Sequence, residues 1–207
     1  MGGQAPRYIL FAGVNGAGKS TLYKSKVWTR DGADEDLPRV NPDEILVSHG
    51  WNPASTGDQI KAGKEAVHLV ASHLEARTSF NRESTLSGRT IMRTIQNAKE
   101  NGYLVTIQYV GVATPEIALA RVQNRVEHGG HDIPREDVIR RSRSSAENLR
   151  RVIPLCDHVN VFDNTEYLRL IASFKNGALA QYESFPKVAW VDDLVHDMAS
   201  SVLERDA

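Results

Sequence analysis

The chain has 207 residues, which is enough for one domain with a hydrophobic core but too few for two large lobes. Apolar residues make up 41% of the sequence and charged residues 25%, a balance that is typical of globular proteins and excludes a disordered tail protein. The formal net charge of −1 provides no overall positive field, so we expect no nucleic-acid partner.

The first half of the sequence alternates short apolar strands with helices. In chain order we predict a strand over 7–13, a helix over 17–28, a weak strand over 39–41, helices over 42–50 and 55–79, and a strand end with a loop over 80–88. Ser55 or Thr56 is expected to cap the longest of these helices.

The second half continues the alternation of strands and helices and ends with a predicted hairpin and one more helix. We predict a helix over 89–102 closed by glycine, the strongest strand over 103–112, helices over 114–130 and 133–153, a strand over 157–164, a hairpin over 167–184 and an amphipathic helix over 187–203. Thr114 is expected to cap the helix that follows it, and the hairpin is expected to turn at Asn176-Gly177. Strands that alternate with helices favour a parallel sheet covered on both faces.

The stretch "GVNGAGKS" matches the phosphate-binding pattern G-x-x-x-x-G-K-S between a strand and a helix. Its glycines let backbone N–H groups converge on phosphate, its lysine supplies a positive charge, and its serine supplies a ligand for Mg²⁺. The expected nucleotide-binding residues are Gly13, Asn15, Gly16, Ala17, Gly18, Lys19, Ser20 and Thr21. The pattern therefore predicts an α/β P-loop NTPase fold, a three-layer sandwich that binds ATP.

Two large classes of P-loop protein do not fit the rest of the sequence. GTPases carry an N-K-x-D base-reading motif, and motor or AAA-type ATPases carry an apolar strand that ends in Asp-Glu; neither is found. A small-molecule kinase remains, in which a carboxylate deprotonates the acceptor hydroxyl and an arginine-bearing lid covers the phosphate. We expect a single kinase domain over residues 1–207, with a lid over about 121–151.

Carboxylates follow the second and third predicted strands, whose ends lie at the same sheet edge as the phosphate loop. Asp43 is the candidate general base, with Glu44 as the fallback, and Asp43 would equally stabilise the first turn of a helix. Glu83 and Thr85 are the candidate acceptor-binding residues, although Glu83 also fits a helix-capping loop.

The predicted lid contains eight arginines between Arg121 and Arg151. Arg125, Arg140 and Arg141 are the candidates for the triphosphate, because the guanidinium fork binds phosphate oxygens in pairs. Neighbouring acidic residues would otherwise neutralise several of these arginines on a solvated helix surface. Asn164 follows the last parallel strand, where it would either reach the nucleotide base or form a plain turn.

Other signals concern location and metals. Cys156 is the single cysteine and cannot form an internal disulfide, and no apolar run approaches the roughly 18 residues of a membrane span. We therefore expect a cytoplasmic protein without a membrane partner. His128 and His131 are interpreted as surface residues rather than metal ligands.

Five segments, taken in order, resemble the zeta toxin family of P-loop kinases. They are "FAGVNGAGKST", "VNPDEI", "FNRESTLSG", "RVQNRVEHGGHDIPREDVIRRSRSSAENL" and "VFDN", and they extend from about Tyr8 to Asn164. The resemblance implies phosphorylation of a sugar hydroxyl of UDP-N-acetylglucosamine or a related UDP-sugar with ATP and Mg²⁺. It also implies a small helical antitoxin as a partner, supplied by another chain.

The same resemblance implies roles for individual residues. Lys19 and Ser20 would hold ATP and Mg²⁺, Asp43 would be the base, Glu83 and Thr85 would lie at the acceptor, and lid arginines would grip the γ-phosphate. Two other functions share these motifs: a kinase for a small metabolite or an antibiotic, and a nucleotide-dependent binding module.

Overall fold

The computed structural model describes residues 4–29, 36–130 and 132–203, so His131 lies outside the described residues. They build one sheet of seven strands between two layers of helices. The strands are β1 (Arg7–Ala12), β2 (Arg39–Val40), β3 (Phe80–Ser84), β4 (Leu104–Gly111), β5 (His158–Asp163), β6 (Arg169–Lys175) and β7 (Ala178–Tyr182). This confirms the predicted α/β sandwich.

The sheet has the order β2-β3-β1-β4-β5-β6-β7. Neighbouring strands from β2 to β5 pair in parallel, whereas β5, β6 and β7 pair antiparallel. Because β1 lies inside the parallel part, the loop that follows it opens at the edge where β2, β3 and β5 also end. The fold therefore gathers four chain segments at one place.

Helices cover both faces of the sheet. They are α1 (Lys19–Ser25), α2 (Pro42–Ser48), α3 (Thr56–Glu75), α4 (Arg89–Glu100), α5 (Pro115–Glu127), α6 (Arg135–Val152) and α7 (Ala189–Leu203). Leu22 of α1 and Val122 of α5 pack on the face that carries Phe11, while α2, α3, α4 and α7 pack on the other face. Val138 of α6 packs with the first layer and Leu149 with the second, so this helix joins both cores.

Local signals set most element boundaries. The Ser55 side chain accepts a hydrogen bond from the Asp58 N–H at 3.3 Å, which confirms the predicted cap. Asn176 and Gly177 have φ values of 50° and 81°, as a tight hairpin turn requires. Thr114 occupies the cap position of α5, but its side chain makes no capping hydrogen bond.

The first helix is shorter than its sequence predicts. It ends at Ser25, because Lys26 adopts a left-handed conformation with φ of 59°. The chain then turns back, and the Trp28 ring packs edge-on against Phe11 at 4.8 Å between ring centroids. Packing against the sheet has therefore overridden a local helical pattern. No helix within the described ranges has both the length and the apolar composition to cross a bilayer.

Candidate active site

The phosphate loop leaves no space for side chains at two of its glycines. Gly13 has φ of 139°, and a Cβ atom there would lie 2.2 Å from the Val110 carbonyl oxygen. Gly16 has φ of 82°, and its Cβ would lie 2.3 Å from the Ala118 oxygen. Both positions therefore need glycine for backbone conformation and for close packing.

A cavity of about 400 Å³ opens above this loop. The lining residues are Asn15, Gly16, Gly18, Lys19, Ser20, Thr21, Asp43, Glu83, Arg121, Arg125 and Asn164. They come from the loop and α1, from the segments that follow β2 and β5, from β3 and from α5. The structure thus brings together residues that are far apart in sequence, including most of those that the motifs predict.

Lys19 is the buried cation of the cavity, with 7% of its surface exposed. Its Nζ atom donates to the Val14 carbonyl at 3.3 Å and lies 3.7 Å from Oε1 of Glu83. Burial lowers the pKa of Lys19, and the negative charges of Glu83 and Asp43 act in the opposite direction. Both carboxylates therefore act on the lysine of the phosphate loop.

Glu83 lies between two cations. In addition to Lys19, it accepts a hydrogen bond from Nη2 of Arg39 at 2.7 Å and one from Nδ2 of Asn41 at 3.3 Å. The Arg39 guanidinium stacks on the Tyr23 ring at 3.6 Å from its centroid, which holds this buried side chain in place. Arg39 and Asn41 had no role in the motif analysis, because nothing local distinguishes them.

The structure distinguishes the two carboxylates that the sequence offered as the base. Glu44 accepts hydrogen bonds from Nε of Arg39 at 2.8 Å and from Asn41 at 3.1 Å. The Asp43 side chain is exposed and faces the cavity, while its backbone N–H is capped by the Asn41 side chain at 3.0 Å. Both side chains are exposed, but only Asp43 lines the cavity, whereas Glu44 is paired with Arg39 outside it.

A second cavity of about 380 Å³ adjoins the first and shares Asn15 and Asp43 with it. The remaining lining residues are Pro42, Leu46, Gln59, Asp132, Ile133, Pro134, Asp137 and Arg141. We call the first space the nucleotide cavity and the second the acceptor cavity, after the roles that the sequence predicts at this edge of the sheet. Asp43 lies where the two meet.

A comparison with known protein families identifies the family of this chain. The model of the Zeta toxin family matches residues 2–175 of the chain. The chain belongs to the Zeta toxin family.

One curated protein is similar to this chain in sequence, and several solved structures are similar to it in fold. An uncharacterized protein of Haemophilus influenzae is 36% identical over 133 residues, which are 64% of this chain and 89% of the relative. A structure from the PezAT chromosomal toxin-antitoxin system of Streptococcus pneumoniae has a TM-score of 0.60 and 16% identity, covering 99% of this chain and 88% of that one. The AvrRxo1-ORF1:-ORF2 structure with ATP has a TM-score of 0.67 and 19% identity, covering 93% of this chain and 64% of that chain.

The arginines of the predicted lid do not all line the two cavities. Arg125 lines the nucleotide cavity, and Arg141 lines the acceptor cavity, where it donates to Oδ1 of Asn15 at 3.0 Å. Arg140 is different, because its side chain is 61% exposed and pairs with Asp137 at 2.7 Å. The structure therefore leaves Arg140 outside both cavities, on the solvent side of its helix.

Arg121 is a cavity residue that the sequence analysis did not single out. Its Nη2 donates to the Thr165 carbonyl at 3.0 Å, whereas no described residue accepts a hydrogen bond from its buried Nη1. It precedes Arg125 by one helical turn, so the two guanidinium groups belong to one face of α5. That spacing was the signal that could have identified it.

The side chains of Thr85 and Asn164 both form hydrogen bonds within the protein, and of the two only Asn164 lines the nucleotide cavity. The Thr85 hydroxyl is hydrogen-bonded to that of Ser87 at 2.7 Å, and neither cavity is lined by Thr85. The Asn164 side chain donates to the carbonyl of Ala17 at 2.7 Å and lies against Gly18. Asn164 thus fastens the end of β5 to the phosphate loop.

The nucleotide cavity also offers oxygen donors that suit magnesium. The hydroxyl-bearing Ser20 and the carboxylate of Asp43 line the same space. No group of three His, Cys, Asp or Glu side chains that could hold a metal is assembled within the described part of the chain. The hydroxyl of Ser20 and the carboxylate of Asp43 are ligand types that fit Mg²⁺, which is usually bound by one or two protein oxygens together with water and substrate phosphates.

Proposed function

We propose that this Zeta toxin family member is a phosphotransferase that moves the γ-phosphate of ATP to an alcohol hydroxyl. The observation that carries the proposal is the position of Asp43, whose accessible carboxylate lines both the nucleotide cavity and the acceptor cavity. A base at this boundary can contact a hydroxyl in the acceptor cavity while the γ-phosphate is bound in the nucleotide cavity. ATP is the donor that the phosphate loop and the fold support.

In this mechanism the backbone amides of the loop, Lys19, Arg121 and Arg125 bind the phosphates and stabilise their charge. Asp43 accepts the proton of the acceptor hydroxyl while the hydroxyl oxygen forms a bond to the γ-phosphorus. The bond between that phosphorus and the bridging oxygen breaks, and ADP leaves with the electron pair. Ser20 would hold Mg²⁺, which neutralises phosphate charge when bound.

We further propose a sugar hydroxyl of UDP-N-acetylglucosamine or a related UDP-sugar as the acceptor. The motif resemblance and the family membership support this choice. The acceptor cavity offers Gln59 and several carboxylates, which are suitable partners for sugar hydroxyls, and its volume is about 380 Å³. A small helical antitoxin is the proposed partner, because a similar fold comes from a toxin-antitoxin system.

The charge of the acceptor cavity favours a second candidate, a kinase for a neutral or cationic metabolite or antibiotic. Asp43, Asp132 and Asp137 line this space together with one arginine, Arg141. A hydrogen bond from Arg140 lowers the pKa of Asp137, so this carboxylate stays ionised at neutral pH. A diphosphate placed among these carboxylates would be repelled, whereas an uncharged sugar or an amino group would not.

An acceptor panel separates the two candidates. The protein is incubated with ATP, Mg²⁺ and one of three compounds: UDP-N-acetylglucosamine, free N-acetylglucosamine or an aminoglycoside. Phosphorylated products are then identified by mass spectrometry. Transfer to the UDP-sugar supports the first proposal, and transfer only to an uncharged or cationic acceptor supports the second. ADP formation without any phosphorylated acceptor in a wider panel of alcohols would reject both.

The role of Asp43 is tested by Asp43→Asn, which keeps the shape of the side chain but removes the base. We expect kcat to fall by about 10²- to 10⁴-fold while ATP affinity is retained. Lys19→Ala is the contrasting variant, and it should lose ATP affinity itself. Isothermal titration with ATP and a steady-state kinase assay measure both quantities. Full turnover by Asp43→Asn would remove this residue from the mechanism.

A further inference from the structure

A third cavity, of about 450 Å³, lies between α3, α4 and β3. It shares no lining residue with the nucleotide or acceptor cavity. Val70 and Leu74 of α3 form an apolar wall, Arg93 and Asn97 of α4 form a polar one, and Arg82 of β3 lies between them. The two sides of this space thus differ sharply in polarity.

Arg82 is the unusual member of this lining. Its Nε atom is buried and finds no hydrogen-bond acceptor among the described residues. Glu75 also lines the cavity, but no ion pair within 4 Å joins any described carboxylate to Arg82. A charged group that is largely removed from water is normally paired, because burial without compensation is costly.

The hydroxyl of Tyr8 interacts with Arg82 but does not neutralise the positive charge of the guanidinium. Burial raises the pKa of Tyr8 to about 12, and the positive charge of Arg82 and hydrogen bonding to its side chain only partly oppose this effect. The hydroxyl is therefore neutral at physiological pH. The cavity therefore contains two guanidinium groups, those of Arg82 and, on its α4 side, Arg93, against the one lining carboxylate of Glu75, with which Arg82 forms no ion pair.

We infer that this cavity binds a small amphipathic carboxylate, with its anionic end at Arg82 and Arg93 and its hydrocarbon part against Val70 and Leu74. A guanidinium binds a carboxylate through two parallel hydrogen bonds, and Asn97 offers a further amide donor. The volume of about 450 Å³ lies within the range of small-molecule sites.

The test uses hexanoate as the probe on the full chain, without ATP. We expect hexanoate to raise the thermal unfolding midpoint and to bind with a 1:1 stoichiometry by titration calorimetry. Hexan-1-ol, which lacks the charge, and acetate, which lacks the chain, should act at least about tenfold more weakly. The same response in Lys19→Ala excludes the phosphate loop as the place of binding.

Two variants locate the site. Arg82→Met should weaken hexanoate binding by about tenfold or more and, without hexanoate, should unfold at the same temperature as the unchanged protein or a higher one. Arg93→Met changes an exposed residue, so it keeps the fold and should also weaken binding. Arg140→Met, outside this cavity, should bind like the unchanged protein. Equal binding by Arg93→Met and the unchanged protein, or equal effects of hexan-1-ol and hexanoate, would overturn the inference.

Discussion

Gly13 tests whether the phosphate loop depends on close backbone approach. Its φ of 139° and the contact that a Cβ would make with Val110, at 2.2 Å, predict that Gly13→Ala destabilises the fold. We expect a loss of about 2 kcal/mol or more in the free energy of unfolding, measured by urea denaturation. Because the backbone of the phosphate loop or of Val110 has to move to make room for the methyl group, nucleotide affinity should fall as well.

Gly63 provides the matched control for that substitution. It lies within α3, and a Cβ there would meet no atom within 4 Å. Gly63→Ala should therefore raise the free energy of unfolding by about 0.5–1 kcal/mol, because alanine restricts the unfolded chain and favours helix. If both alanine variants shifted stability in the same direction, the strain assigned to the phosphate loop would be wrong.

At the scale of elements, β2 and β3 are joined by Arg39, which we interpret as a positioning residue. It pairs with Glu83 at 2.7 Å and so competes with Lys19 for the same carboxylate. In Arg39→Met, Glu83 should form a closer ion pair with Lys19. The lysine would then be less available to bind phosphate. We expect ATP affinity to fall about tenfold, measured by titration calorimetry.

A double variant distinguishes this interpretation from simple loss of packing. Glu83→Gln removes the charge that captures Lys19, so Arg39→Met combined with Glu83→Gln should recover most of the ATP affinity. Phosphate transfer need not recover, because Glu83 lines the nucleotide cavity. ATP affinities that decrease additively in the double variant would show that Arg39 acts by packing alone.

The helices α5 and α6 differ in what their arginines contact. Arg125→Ala in α5 should lower kcat by about a hundredfold or more, because a cation that lines the nucleotide cavity is lost. Arg140→Ala in α6 should leave kcat unchanged and stability within about 0.5 kcal/mol, since its ion pair with Asp137 is exposed. Steady-state kinetics and thermal unfolding compare the two variants. Equal losses of kcat would show that α6 closes on the nucleotide.

At the scale of the whole molecule, the C-terminal helix reaches the phosphate loop through β5. Trp190 of α7 donates to the buried carboxylate of Asp163 at 2.9 Å, and the next residue, Asn164, holds the Ala17 carbonyl. Trp190→Phe removes that donor from a buried acceptor. We expect a loss of about 1–3 kcal/mol in unfolding free energy and a higher KM for ATP.

Trp51 supplies the comparison for this effect. It stacks on His49 at 4.3 Å and belongs to neither the nucleotide nor the acceptor cavity. Trp51→Phe should therefore leave the KM for ATP unchanged, whatever its effect on stability. Urea denaturation and kinase assays measure both variants, and an unaltered KM in Trp190→Phe would separate α7 from the nucleotide site.

The sequence by itself determined the alternation of strands and helices, the phosphate loop and the choice of Asp43 as a candidate base. These features depend on neighbouring residues: the period of apolar side chains, the glycines of the loop and the hairpin turn at Asn176-Gly177. The helical period did not predict the early end of α1, because packing of Trp28 on the sheet decides it.

Only the tertiary structure decided which residues with the right chemistry meet. The fold pairs Glu44 with Arg39 and places Asp43 at the nucleotide cavity. It also adds Arg121 to this cavity and leaves Arg140 exposed to solvent. The pairing of Glu44 with Arg39 joins residues only five positions apart, but the nucleotide cavity joins segments that the chain separates by tens of residues. Local sequence sets the conformation of a segment, whereas the packing of several segments sets these distances, and electrostatic and hydrogen-bond energies depend on distance.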